Sequence, residues 1–205
     1  MVLRKQQYLC SFTTGGLLIN ECRVVAEAFA QTKSWDQTLL DVRSKNLLQT
    51  RTVATTDKRF REVRRRLDHL NQFQLNLLQH GSQDEEIAMV WLGTCKAYRI
   101  IREFAVEFVR DRFLTMQLTV SPTDFDKFLD SKAVWDSALD ELAESTRIKL
   151  RRGVMQMLRE AGIVNNELVQ PCILSSATVA ALKSDQEPLY RVFPVSDRDF
   201  ARLAG

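Results

Sequence analysis

The sequence predicts a mainly α protein: a compact helical bundle with a winged C-terminal part carrying a small β-hairpin. Three observations predict it. Gly and Pro number only 7 and 4 among 205 residues, so long segments run without a helix breaker. Apolar residues recur at i, i+3, i+4 and i+7 in one segment after another, the helical period. Near the C-terminal end, a basic segment stops at Gly162 and is followed by short apolar pairs on either side of Asn165-Asn166. Asn tolerates the positive φ of a tight hairpin turn. At 45% hydrophobic and 27% charged, the chain can bury a core rather than stay disordered.

The first helix is expected in "SFTTGGLLINECRVVAEAFAQ". Thr13 as N-cap would place Phe12 and Leu17 at hydrophobic-staple spacing. Gly15-Gly16 allows two readings: a phosphate-binding helix N-terminus or tight helix entry against a neighbouring backbone. Tight entry is preferred, since neither GxGxxG nor GxxxxGK[ST] is present. A second helix is expected over about Ser34 to Lys45, capped by Ser34, and a third over about Thr56 to Gln79, stopped by Gly81.

Phe60, Val63, Leu67, Leu70 and Leu77 form the third helix's apolar stripe. Lys58, Arg61 and Arg65 fall on the opposite face, with Arg64 flanking. "KRFREVRRR" is therefore a basic face, and it is either solvated surface or a nucleic-acid contact. The next block, "SQDEEIAMVWLGTCKAYRIIREFAVEFVRDRFL", opens with Asp84, Glu85 and Glu86, which suit a helix N-terminus. It is the most apolar stretch of the chain and reads as one or two central helices, whose aromatics are core rather than a base-stacking platform.

"LTVSPTDFDKF" marks the expected boundary between an N-terminal bundle, 1–118, and a C-terminal part, 119–205. Ser121, Pro122 and Asp124 fit N-cap, N1 and N3 of a helix reaching about Ser131. "VWDSALDELA" gives another helix, ending near Glu144. A basic helix capped by Ser145 or Thr146 follows. Its Leu150, Val154, Met157, Leu158 and Ala161 gather on one side. Lys149, Arg152, Gln156 and Arg159 line the other, at i, i+3, i+7 and i+10, and Arg147 and Arg151 add to the helix's charge. Arg and Gln can read base edges, and Lys and Arg neutralise phosphates. Helix, basic helix, Gly and hairpin in that order form a winged-helix layout, in which the basic helix enters the major groove. "SSATVAALK" reads as a helix capped by Ser175 or Ser176, "LYRVFPV" as a strand, and "SDRDFARLA" as a final helical turn.

Other classes find little support. Cys10, Cys22, Cys95 and Cys172 form no CxxC pair, which suits reduced cytoplasmic thiols. His69 and His80 lie eleven apart, so no metal site is expected. No GxSxG, HExxH or P-loop is present. The carboxylates nearest to a nuclease set are Asp124 with Asp126, and Asp136 with Asp140 and Glu141, and both groups read as helix-start or surface acids. The chain is expected not to be an enzyme and to need no cofactor. The longest apolar run, "IAMVWLG", is far below the roughly 20 residues of a membrane span, and Gln6 and Gln7 after Arg4 and Lys5 argue against a signal peptide.

"SFTTGGLLINECRVVAEAF" and "REAGIV…ILSSATVAALKSD…YRVFPVSD" resemble the BrxA family, a small component of BREX phage-defence systems. The resemblance spans essentially the whole length. It implies a NusB-like helical core, binding to double-stranded DNA, and a role beside a methyltransferase and a phosphatase-like protein of the same system. With a net charge of only +3, DNA binding would rest on local clusters. The expected contacts are Lys149, Arg152, Gln156, Arg159, Arg147 and Arg151, with Lys58, Arg61, Arg64 and Arg65 as further phosphate contacts. The alternatives are an assembly adaptor for other defence proteins, or RNA binding by analogy with NusB.

Overall fold

The computed structural model describes residues 8–10, 12 and 15–205. Its helices are α1 (Ile19–Thr32), α2 (Trp35–Ser44), α3 (Val53–Leu67), α4 (Gln72–His80), α5 (Gln83–Ala97), α6 (Arg99–Glu103), α7 (Arg110–Leu114), α8 (Pro122–Ala133), α9 (Ser137–Asp140), α10 (Glu144–Glu160), α11 (Ser176–Lys183) and α12 (Asp197–Ala204). A π-helical stretch, Phe104–Val109, joins α6 to α7, and a 3-10 turn, Leu189–Val192, precedes α12. The hairpin strands are β1 (Val164–Asn165) and β2 (Leu168–Val169). The fold is mainly α, as expected.

The chain forms two compact units that interleave in sequence. A helical unit comprises Leu17–Ala97, Ile173–Tyr190 and Ser196–Gly205. A hairpin unit comprises the described residues up to Gly16, then Tyr98–Cys172 and Arg191–Val195. The expected cut between 118 and 119 falls inside the hairpin unit. Residues 118–120 form an extended segment that pairs with β2: Val169 N–H donates to the Leu118 carbonyl at 2.8 Å, and Val120 N–H to that of Glu167 at 2.8 Å.

In the helical unit, α1 begins at Ile19, later than expected. Gly15 (φ 103°) and Leu18 (φ 57°) both hold left-handed backbone that a helix cannot continue through. Thr13, the expected cap, lies outside the described residues. Ser34 caps α2 by accepting from Gln37 N–H at 3.4 Å. The single third helix expected over Thr56–Gln79 is two helices. Asn71 restarts the chain with a reciprocal cap: its side chain accepts from Gln74 N–H at 3.0 Å, and its own N–H donates to Gln74 Oε1 at 3.1 Å. The apolar stripe survives the break, because Phe60, Val63, Leu67, Leu70 and Leu77 are all buried.

Met89, Val90, Trp91 and Leu92 of α5 are the centre of this core. At Gly93 a Cβ would meet the Arg66 carbonyl at 2.9 Å, so glycine lets α5 close on α3. Ser175 and Ser196 cap α11 and α12, accepting from Thr178 N–H at 3.1 Å and Asp199 N–H at 3.0 Å. The strand expected in "LYRVFPV" is the 3-10 turn instead. Its Val192, and then Phe193 and Val195, belong to the hairpin unit and are buried as single side chains, which satisfies their hydrophobicity outside a strand.

In the hairpin unit, Phe104 anchors the core. It stacks on Phe108 and meets Phe125 and Phe128 edge-on at 5.1 and 5.2 Å. Ser121 and Pro122 open α8, with Asp124 accepting from Ser121 N–H at 2.8 Å. The helix expected to end near Glu144 is only the single turn α9, and α10 begins at Glu144 without a side-chain cap from Ser145 or Thr146. Its end is a Schellman motif. Gly162 (φ 68°) sits at C′, its N–H donating to Arg159 O at 3.0 Å, while Ile163 N–H donates to Leu158 O at 3.0 Å. The hairpin turn is Asn166 (φ 47°) and Glu167 (φ 61°), one residue later than expected. Both positive φ values match a type I′ turn. The register pairs Val164 with Val169, both buried, which fixes it.

Two ionic features support these units. In the helical unit, Arg66 and Glu62 form a buried pair at 3.0 Å, 1% and 5% exposed. Removing one partner of such a pair strands a charge. Glu62→Ala is expected to cost about 3–5 kcal/mol, read as a fall in urea midpoint. In the hairpin unit, Glu103 accepts from Tyr8 Oη at 2.6 Å and Arg99 Nε at 2.6 Å, and pairs with Lys132 at 3.0 Å. Burial pushes this carboxyl up, but the donors outweigh it and hold it below the usual glutamate range. The resulting stability is present above that range and lost as pH falls through the lower folded-state value. Glu103→Gln should therefore flatten the acid loss of thermal midpoint between pH 5 and pH 3, a window of roughly the carboxylate range.

Candidate nucleic-acid interface

The candidate interface centres on α10. Leu150, Val154, Met157 and Leu158 are fully buried, and with them Gly153, where a Cβ would stand 3.5 Å from the Phe12 carbonyl. That burial fixes the rotation of the helix. Lys149, Arg152, Gln156 and Arg159 are left exposed on its outer side. Among the described residues, Lys149, Arg152 and Arg159 take part in none of the ion pairs. A groove of about 330 Å³ runs beside them, lined by Pro122, Arg151, Arg152, Met155, Gln156 and Arg159.

The six basic or polar positions on α10 are not equivalent. Arg147 pairs with Asp130, and Arg151 with Asp126 at 2.5 Å. These two pairs tie α10 to α8, one helical turn apart on each. Arg147 and Arg151 are thus partly committed within the unit, although Arg151 still faces the groove. Gln156 Nε2 donates to Glu160 Oε1 at 2.8 Å. Glu160 in turn rests on Gly16, where a Cβ would collide with its carboxylate. Of the glycine pair, Gly16 is therefore close-packed against a side-chain carboxylate rather than against the neighbouring backbone that was expected, while Gly15 has open space beside it.

The basic face of α3, in the helical unit, is more heavily paired. Arg64 meets Asp68 at 3.4 Å and lies over the Trp35 ring at 5.4 Å. Arg65 reaches Glu62 at 3.9 Å. Arg61 donates to the Asp57 carbonyl at 3.3 Å, and Lys58 is exposed. Arg66, the last of the basic run, is buried and faces the core.

Three of the acids weighed as a nuclease set are engaged separately. Asp126 holds Arg151, Asp124 closes on Ser121, and Asp136 caps α9 through Ala138 N–H at 3.1 Å. Among the described residues no three His, Cys, Asp or Glu side chains converge on one metal position. Among the same residues no helix is long and apolar enough to cross a membrane. The sequence reading missed Asp126, Asp130 and Glu160 as partners. The spacing of four shared by Asp126 with Asp130 and by Arg147 with Arg151 was the available signal.

The BrxA family model matches residues 6–186. The chain belongs to the BrxA family. Two relatives, each called BREX protein BrxA, show how far its members diverge. The one from Escherichia coli is 21% identical over 80% of this chain and 78% of its own. The one from Paramagnetospirillum magneticum is 23% identical over 80% of this chain and 82% of its own. A crystal structure of an uncharacterized protein from Magnetospirillum magneticum superposes with a TM-score of 0.78 at 22% identity, covering 93% of this chain and all of that one. At that identity the likeness is one of fold and nothing further.

Proposed function

We propose that this BrxA-family chain is a non-enzymatic, double-stranded-DNA-binding component of a BREX bacteriophage-defence system, acting in the cytoplasm beside the system's other proteins. The carrying observation is the outer face of α10. Three exposed cations, Lys149, Arg152 and Arg159, share one side of a helix and form no ion pair among the described residues. Unneutralised cations in a row bind a phosphate backbone by releasing its counterions.

The local topology supports the same reading. The extended segment 118–120, α8, α9, α10, β1 and β2 follow in the order of a winged helix, with 118–120 paired to β2. In that layout the helix before the hairpin enters the major groove, and its first partner helix braces it. Here α8 braces α10 through Asp126 and Asp130. The α3 face is a secondary phosphate contact, since Arg64 and Arg65 are already paired. Binding is dominated by phosphate contacts and carries weak sequence preference.

Arg152→Glu with Arg159→Glu should abolish band shifts of duplex DNA at moderate salt while melting is unchanged. Replacing both with Ala should lower the slope of log affinity against log salt by about two. Unchanged duplex affinity in the folded double variant would remove α10 from the interface. Preference for RNA over the duplex in direct competition would favour the RNA alternative. Nuclease-resistant co-purification with other BREX proteins, without any duplex shift, would favour an adaptor.

A further inference from the structure

We propose that Gln156 reads one base, an adenine in the major groove, and that Glu160, seated on Gly16, positions it to do so. This rests on α10 binding duplex DNA.

Gln156 stands one turn from Arg152 and from Arg159, and all three line the same groove. Phosphates held by the two arginines bring base edges to the amide between them. A glutamine amide carries two N–H donors and one carbonyl acceptor. A carboxylate can only accept, so the 2.8 Å bond to Glu160 takes one N–H and fixes which end of the amide is nitrogen. One N–H and Oε1 remain. They complement adenine, which offers the N7 acceptor and an N6 donor in the major groove.

Glu160 is held in turn by what lies beneath it. Its carboxylate covers Gly16, where any side chain would collide with it. Gly16, unlike Gly15, has no positive φ that would itself demand glycine. Glycine at this position therefore leaves room for the Glu160 carboxylate, which any side chain would push aside. A carboxylate among these cations also repels phosphate at that spot. It leaves the backbone to Lys149, Arg152 and Arg159, and the base to Gln156.

The test is selection from a randomised duplex pool, with affinity and salt slope measured on the winners. The wild type should enrich adenine at one position, by about tenfold over other bases. Gln156→Ala should abolish that preference and leave the salt slope unchanged. Glu160→Ala and Glu160→Gln both remove a negative charge and should both raise general affinity. Only Glu160→Ala should lose the adenine preference, because the amide introduced by Glu160→Gln still offers an acceptor oxygen. Gly16→Ala should weaken the preference in the same way, scored only if its melting matches the wild type. Duplex binding by the wild type with no adenine preference, or a preference that survives Gln156→Ala, overturns the inference while sparing the DNA-binding reading. No duplex binding at all overturns both.

Discussion

The rotation of α10 about its own axis is the constraint on which the hairpin unit's surface depends. Seventeen residues, Glu144–Glu160, must bury one side and leave the other to solvent. Leu150, Val154, Met157 and Leu158 set which side is inward. At about 25 cal/mol per Å² of apolar surface, four such side chains outweigh any surface ion pair by several kcal/mol. The pairs from Asp126 and Asp130 then fix the helix against α8 without changing its facing. A turn of one residue, about 100°, would drive Arg151 or, in the other sense, Lys149 into the core. The exposure of Lys149, Arg152, Gln156 and Arg159 is a consequence of that burial.

The end of α10 passes this constraint on to the hairpin. Gly162 supplies the left-handed residue of the Schellman motif, and the chain reverses directly into Val164. Both strands are two residues long, too short to stand alone. They persist because Val164 and Val169 are buried and because 118–120 pairs with β2. The segment before α8 is thereby joined to the segment after α10. Both segments lie within the continuous run Tyr98–Cys172 of the hairpin unit, so a boundary at 118–119 would cut through this pairing.

Much of the fold was legible in the sequence, for reasons that are local. Ser34, Ser121, Ser175 and Ser196 all open helices where their side chains can bond the first turn, and the helical period picked out the buried stripe of α3 and α4. What was not legible depends on competition between local signals and distant partners. Asn71 and Gln74 look like ordinary helix residues until they bond each other across a helix start. Arg66 reads as one more charge in a basic run, yet it lies on the same side as Val63 and is buried with Glu62. "LYRVFPV" has strand composition but finds no strand partner among the described residues. For the interface, the wheel gave the facing of α10 directly. It could not show that Arg147 and Arg151 are paired across to α8, because those acids lie more than fifteen residues away in sequence.

The resulting division of labour is physical. In the proposed interface, the α10 cations that form no ion pair among the described residues would supply phosphate affinity, the paired arginines would supply rigidity, and the paired cations on α3 would add little. The most direct measurement places a photoreactive residue at position 152, and separately at position 61, and irradiates each protein with duplex DNA. Cross-linking from 152 at low protein concentration, with little from 61, is the predicted result. Cross-linking from 61 and none from 152 would contradict α10 as the DNA-facing helix.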